Sequence, residues 1–465
     1  MNKTIANIYN FSPAFVQNLG VTYYGLRLYL REYGAKFKLA SEEFEKNQWL
    51  SHDELREFQN EKLRALIKHC HENVPYYRKV MDERKLKPDD IRIVDDLPKL
   101  PLLTRDDVKR NFAELKAANI NPRELIIGHT SGTTGSPLEF YYDRNICLMK
   151  NVVDWRQKNW GGVNFRNKIA YFLGRVVVPM SRNKPPFWRH NLVFNHLLFS
   201  SFHMSGKNLA TYFEKLAQFQ PAAVEGYPST IYILAKYLQS RGMTFPVKAV
   251  FTSSETLYPQ QHETIESAFH CRVFDFYGLA ERVAFATECS AHEGHHLNLD
   301  FGITEIIGKD GLPARVGEIG RIVATGLHNF GMPLLRYQTT DVTALKSTMC
   351  SCGRAFPLME DVTTKAEDII TTRDGRYISS SILTHPFKPM HSVAESQIIQ
   401  EDIEHIRIKI IKLPTYTDKD TQYLLEEFRK RVGQDMIVEV EFVDSIPRTS
   451  AGKFRWVISK VPLEF

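Results

Sequence analysis

From residue 125 onward this chain alternates short apolar runs with helical stretches, and that rhythm constrains the fold more than any other feature. "AAVEGYPSTIYILAKYLQSRG" reads as strand, turn and helix, while "VKAVFTSSETL", "YPQQHETIESAF" and "CRVFDFYGLAE" read as strand, helix and strand. The alternation predicts an α/β architecture with substantial parallel sheet. "GKDGLPARVGEIGRIVATGL" has the glycines of a hairpin region. Residues 21–90 read mostly helical: "SHDELREFQNEKLRALIKHCHENV" opens on a Ser/Asp cap and repeats apolar residues at three- and four-residue spacing. "DLPKLPLLTRDDVKRNF" breaks structure at its prolines, and Thr104 caps a new helix. Beyond about residue 366 the rhythm changes, and "HIRIKIIKL", "DKDTQYLLEEFRKRVG" and "MIVEVEFVDSI" make a small β-α-β unit.

A length of 465 residues leaves room for about three domains. Lys and Arg exceed Asp and Glu by six, but they are scattered, which argues for a solvated surface and against nucleic acid. No apolar run reaches the ~18 residues that span a bilayer, since Gly174 and Arg175 break "IAYFLGRVVVPM". "MNKTIANIYNFSPAFVQ" lacks the continuous apolar region of a secretory signal, and six cysteines are too few for a disulfide scaffold. The expected compartment is the cytoplasm. The aromatics around "VTYYGLRLYLREYG" fit either a packed helix or a peripheral membrane-surface face.

The stretch from Gly128 to Leu138, "GHTSGTTGSPL", carries the first chemical signal. Glycines let backbone N–H groups approach a ligand, and Ser and Thr add hydroxyl donors, so the composition suits phosphate oxygens. A Walker-type loop would end in Gly-Lys-[Ser/Thr], and this one ends in Gly-Ser-Pro-Leu, without a lysine. A plain turn between strands uses the same residues. Four further stretches stand behind the loop in order: "DFYGLAE" with Tyr277, Gly278 and Glu281 at a strand end, "LLRYQTTD" with Asp341 after another strand, "KAEDIITTRDGR", and "IPRTSAGK" ending in Lys453. Open α/β sheets bind ligands at strand ends of this kind.

In chain order, spacing and residue type these five motifs resemble the adenylate-forming superfamily of acyl-CoA synthetases and peptide-synthetase adenylation domains. The missing lysine and "NVPYYR…LPKLPLLTRDD" resemble more particularly its phenylacetate–CoA ligase and CapK-type capsular-polysaccharide branch. The resemblance implies a large multi-sheet N-terminal adenylation domain, residues 1–366, and a small mobile α+β lid, residues 367–465. It implies an ATP- and Mg²⁺-dependent, AMP-forming ligase that turns a carboxylic acid into an acyl-adenylate and passes the acyl group to CoA, an amine or a hydroxyl. Thr130, Ser131, Gly132, Thr133, Thr134 and Gly135 would then hold the β- and γ-phosphates, with Thr133, Glu281 and Lys453 as the catalytic set. Glu281 would ligate Mg²⁺, Tyr277 would stack on adenine, and Asp341 would accept from the ribose. Ser254 and Glu255 match the adenine-pocket motif. Lys453 would bridge the acyl carboxylate and the α-phosphate as negative charge gathers.

Two departures stand out. The Gly-Arg pair before the hinge is Thr364-Lys365, and the glycine before the ribose aspartate is Thr340. Lys365 and Arg376 nonetheless occupy the family's cofactor-binding positions, and Glu367 and Asp368 its hinge. These departures keep open a non-catalytic, nucleotide-binding reading.

"TECSAHEGHHLNLD" and "STMCSCGR" supply Cys289, Cys350 and Cys352, with His296 as the nitrogen donor and His292 or His295 as substitutes. Cys-x-Cys with a distant Cys/His pair suits a tetrahedral structural zinc site; chance clustering of packing cysteines is the alternative. "HHLNLD" also approaches the HHxxxDG of condensation domains, but Phe301 intervenes before Gly302.

Overall fold

The computed structural model describes residues 8–130, 138–174, 176–308, 310–362, 370–378, 380–387, 389–447 and 455–461. Its N-terminal third is helical: α1 (Ala14–Glu32), α2 (Ala35–Asn47), α3 (His52–Asn73), α4 (Pro75–Glu83) and α5 (Arg105–Arg110). Ser51 and Thr104 cap their helices as the sequence predicts, and each closes a full capping box, with Glu54 and Asp107 respectively. The hairpin β1 (Ile126–His129) and β2 (Glu139–Tyr142) follows, then α6 (Arg144–Trp160).

A nine-stranded sheet forms the centre. It contains β3 (Ile169–Phe172), β4 (Trp188–Asn191), β5 (His196–Phe199), β6 (Ala223–Gly226), β7 (Ala249–Ser253), β8 (Arg272–Gly278), β9 (Phe285–Glu288), β10 (His295–Leu297) and β14 (Leu358–Met359), in the spatial order β14-β10-β9-β8-β7-β6-β3-β5-β4. β5, β3, β6, β7 and β8 are mutually parallel, and the flanking strands are antiparallel. Period two decides which side chains meet which layer. Ala170, Val224, Val250 and Val273 are register partners facing α7 (Gly206–Phe219), α8 (Pro228–Ser240) and α9 (Pro259–Phe269). The next row, Tyr171, Glu225, Phe251 and Phe274, meets α6 through Trp155 and Lys158. Each fully buried Phe or Leu in these layers contributes ~1.5–3 kcal/mol, so the sheet is a firm platform for its strand ends.

A second sheet, β11 (Gly302–Ile307), β12 (Gly320–Gly326) and β13 (Tyr337–Thr343), contains the hairpin read from the glycine-rich segment. The C-terminal unit opens with β15 (Ile370–Thr371), β16 (Tyr377–Ile378) and the short α10 (Ser380–Leu383). Its sheet holds β17 (Val393–Gln400), β18 (His405–Lys412), β19 (Ile437–Phe442) and β20 (Val457–Ser459), with α11 (Asp418–Val432) making the expected parallel crossover from β18 to β19. Ile370, Ile378, Ile408, Phe428 and Trp456 share one core there, joined by Phe202 from the N-terminal unit. The expected boundary at 366/367 lies outside the described residues.

Candidate active site

The hairpin β1–β2 holds the ends of the glycine-hydroxyl loop together. Thr130 N–H donates to the Leu138 carbonyl at 3.0 Å, and Leu138 N–H donates to Thr130 Oγ1 at 2.9 Å. Ser131, Gly132, Thr133, Thr134 and Gly135 lie outside the described residues. Arg105, the first residue of α5, donates to Thr130 Oγ1 at 3.1 Å and stands at the cleft wall. The loop has no lysine, yet the fold brings a guanidinium to its base.

Two hydroxyl–carboxylate pairs face the same cleft. The Tyr277 hydroxyl donates to Asp341 Oδ2 at 2.9 Å, and the Tyr337 hydroxyl donates to Glu281 Oε1 at 2.7 Å. Tyr277 and Gly278 end β8, and Glu281 sits in the turn that follows. Asp341 lies within β13, two positions inside its end, rather than after a strand. Tyr337 and Asp341 flank a register irregularity of β13 opposite Ile322, and both line the cleft, where each reaches its partner. Glu281 is buried, and that burial raises its carboxyl above the ordinary range, opposed by the Tyr337 hydroxyl. A carboxylate held this way gains by meeting a cation.

Ser254, just past β7, has φ of 72°, a region that costs a non-glycine residue of order ~1 kcal/mol. Glu255 turns away from it to α8, where its Oε2 accepts from Ser229 N–H at 3.0 Å. Together with Tyr277, Gly278, Glu281 and Asp341 these residues line one cleft of about 1050 Å³. The cleft continues past the strand ends to a charged floor. There Lys158 lies 2.7 Å from Asp154 and 3.0 Å from Glu225, and the buried Ser229 hydroxyl makes no hydrogen bond among the described residues.

Arg376 is described and lies elsewhere. Its guanidinium donates to the carbonyls of Phe202 (2.9 Å) and Arg431 (2.7 Å) and pairs with Asp374, so it ties the C-terminal unit to the N-terminal one. Lys365 and Lys453 lie outside the described residues, as do Glu367 and Asp368.

Cys289, His296, Cys350 and Cys352 converge, their donor atoms all within 4.8 Å of one another. Cys289 Sγ is 3.6 Å from Cys350 Sγ, and Cys352 Sγ is 3.5 Å from His296 Nε2. His296 Nδ1 donates to the Phe356 carbonyl at 3.2 Å, which leaves Nε2 unprotonated toward the thiols. Burial lowers the imidazolium of His296 to about 4, so the ring is neutral at pH 7. Three thiols and a neutral imidazole fit a tetrahedral soft cation such as zinc. His295 is engaged elsewhere, 3.2 Å from Asp275 and 3.4 Å from Asp361, while His292 packs against Phe274. The histidine choice follows from these partners. Asp300 forms a buried bidentate pair with Arg156 at 2.6 and 2.9 Å, so the condensation-like "HHLNLD" holds structure together.

Arg105 and Tyr337 are the site residues that sequence reading passes over. No local spacing marks either one; in the case of Tyr337, β13 departs from regular register between it and Asp341.

Comparison with known proteins bears on the whole chain. The model of the CapK C-terminal domain family matches residues 370–460. Protein CapK of Staphylococcus aureus is 27% identical over 98% of this chain and 99% of its own. Phenylacetate-coenzyme A ligase of Escherichia coli (strain K12) is 27% identical over 86% of this chain and 94% of its own. The fold is similar to a crystal structure of 2-hydroxyisobutyryl-CoA ligase in complex with 2-HIB-AMP and CoA: the TM-score is 0.57 at 19% identity, over 88% of this chain and 91% of that one.

Proposed function

We propose that this chain, an adenylate-forming ligase related to CapK and to the phenylacetate–coenzyme A ligases, activates a polar carboxylic acid with ATP and transfers it to a thiol, amine or hydroxyl acceptor. A carboxylate oxygen of the acid attacks the α-phosphorus, the α–β bridging P–O bond breaks, and pyrophosphate leaves. The acceptor then attacks the acyl carbonyl, loses its proton, and AMP departs. The observation that carries this reading is the pairing of Tyr277 with Asp341 and of Tyr337 with Glu281 at the strand ends beside the loop base.

Tyr277 offers a ring face to adenine, and Asp341 accepts from the ribose hydroxyls. Thr130 and the loop residues Ser131 to Gly135 bind the phosphates, with Arg105 adding charge at their base. Glu281 holds Mg²⁺, which neutralises phosphate charge when bound. Lys453 meets the carboxylate and the α-phosphate. Cys289, His296, Cys350 and Cys352 hold a structural zinc, which braces the cleft rim when bound.

The charged floor supports an acid bearing hydroxyl or amino groups. Asp154 and Glu225 are ion-paired with Lys150 and Lys158, and a bare aryl ring seated over these charges would strip water from them without replacing its hydrogen bonds. The resemblance to the CapK-type branch keeps an amine or hydroxyl acceptor as a competitor to CoA.

Acid-dependent pyrophosphate exchange, run across phenylacetate, fatty acids, hydroxy acids and amino or sugar acids, tests both levels. Exchange with polar acids only is expected, and Lys453→Ala should abolish it while ATP binding survives. Exchange with phenylacetate alone would overturn the polar-acid reading. Silence across the panel with ATP still bound would leave the non-catalytic nucleotide-binding reading, which the departures at Thr340 and Lys365 favour.

A further inference from the structure

Helix α1 packs inward through Tyr29, whose ring lies 6.0 Å from that of Phe194, and through polar groups. Its inward face is held by polar contacts: Gln17 accepts from the Arg189 guanidinium (2.7 Å from Nε), Asn18 accepts from His190 N–H at 3.0 Å, and the buried Glu32 accepts from Asn151 at 2.9 Å. Gly25 lies against Asn191, where a Cβ would come within 2.4 Å of the amide. These contacts fix α1 along β4, the edge strand of the central sheet.

The opposite face is apolar and open. Phe15, Leu19, Tyr23, Leu26 and Leu30 are between 43% and 71% exposed. At ~100° per residue they fall within an arc of roughly 80°, a continuous stripe along the whole helix. A soluble helix ordinarily turns such a stripe to the core, and here the core side is already taken. Leu192, itself exposed, extends the patch, because its N–H donates to Thr22 Oγ1.

Charge selects the occupant. Arg27 on α1 and Lys36 on α2 are exposed cations, whereas Arg31 pairs with the buried Glu32 and Lys38 lies 3.9 Å from Glu42. An isologous second copy would set these cations against themselves. An anionic lipid surface would attract them while taking up the stripe, and Tyr and Phe suit its interfacial zone. No helix among the described residues is long and apolar enough to cross a membrane, so such contact is in-plane.

We infer that the exposed face of α1 docks this protein on an anionic membrane surface, with Phe15, Leu19, Tyr23, Leu26 and Leu30 in the headgroup–acyl boundary. The inference is independent of the activity proposed above.

Flotation of the full chain with vesicles tests it. Binding to phosphatidylcholine vesicles containing phosphatidylglycerol is expected, with weaker binding to phosphatidylcholine alone and a decline as salt rises. Leu19→Ser, Leu26→Ser and Leu30→Ser together should lower partitioning about tenfold or more at unchanged thermal stability. If that variant unfolds, Arg27→Glu with Lys36→Glu should weaken binding to the anionic vesicles alone. Equal binding to neutral vesicles would overturn the anionic assignment. Absence of vesicle binding, or a dimer that the triple variant dissociates, would overturn the membrane inference.

Discussion

Tyr337 and Glu281 show how single side chains tune the candidate site. Burial raises the Glu281 carboxyl, and the Tyr337 hydroxyl partly offsets that by donating to the ionised form. A raised carboxyl favours folding most while protonated, so its contribution is present at low pH and is lost as pH rises through its folded value. The ionised Glu281 is therefore costly at neutral pH until a cation reaches it. Tyr337→Phe should raise the carboxyl further and move the acidic limb of kcat/KM for pyrophosphate exchange to higher pH, with about a tenfold loss below that limb. An unmoved limb would separate Tyr337 from Glu281 ionisation. The thiol cluster gives a second test at this scale. Cys350→Ser with Cys352→Ser should take zinc from one per chain to near none by elemental analysis, and lower the Tm by about 5 °C or more. Protein purified without chelator that holds well under one zinc per chain would count against the metal.

Among elements, α8 shows a cleft residue doing structural work. The Glu255 carboxylate caps its N-terminus through Ser229 N–H, where the helix dipole favours negative charge. Glu255→Gln keeps the shape and removes the charge, and should cost about 0.5–1 kcal/mol in a denaturant midpoint at low salt. That loss should shrink as salt rises. A salt-independent change would point to lost geometry instead. The same contact links the turn after β7, with its strained Ser254, to the helix that follows β6. The strand ends and helix starts of this cleft are thereby braced as a unit.

At the scale of the whole molecule, a few specific contacts join the two units. Arg376 donates to Phe202 in the N-terminal unit and to Arg431 in the C-terminal one; Phe202 enters the C-terminal core, and His391 lies 3.7 Å from Glu139 beside the loop hairpin. A lid that turns between adenylation and transfer must release Arg376 from Phe202. Arg376→Ala should therefore alter the two half-reactions unequally, one by roughly tenfold and the other by less than about threefold, in single-turnover measurements. Equal changes would argue against a lid with two working positions.

The parallel sheet, the helix caps at Ser51 and Thr104, the C-terminal β-α-β unit and the ordered motifs that point to adenylate chemistry are legible in the residues alone. All of these are written locally: in periodicity, in cap residues, or in contiguous loops. The fold brings His296, rather than His292 or His295, to the three thiols. Neighbours in sequence alternate faces on β10, and each ring's partners come from distant strands and loops. The same holds for Arg105 at the base of a loop 25 residues away, and for Tyr337, whose role depends on Glu281 across the cleft. It holds also for the stripe on α1. Periodicity marked a helix with an apolar face, but which face turned inward was settled by polar partners on β4, more than 160 residues along the chain.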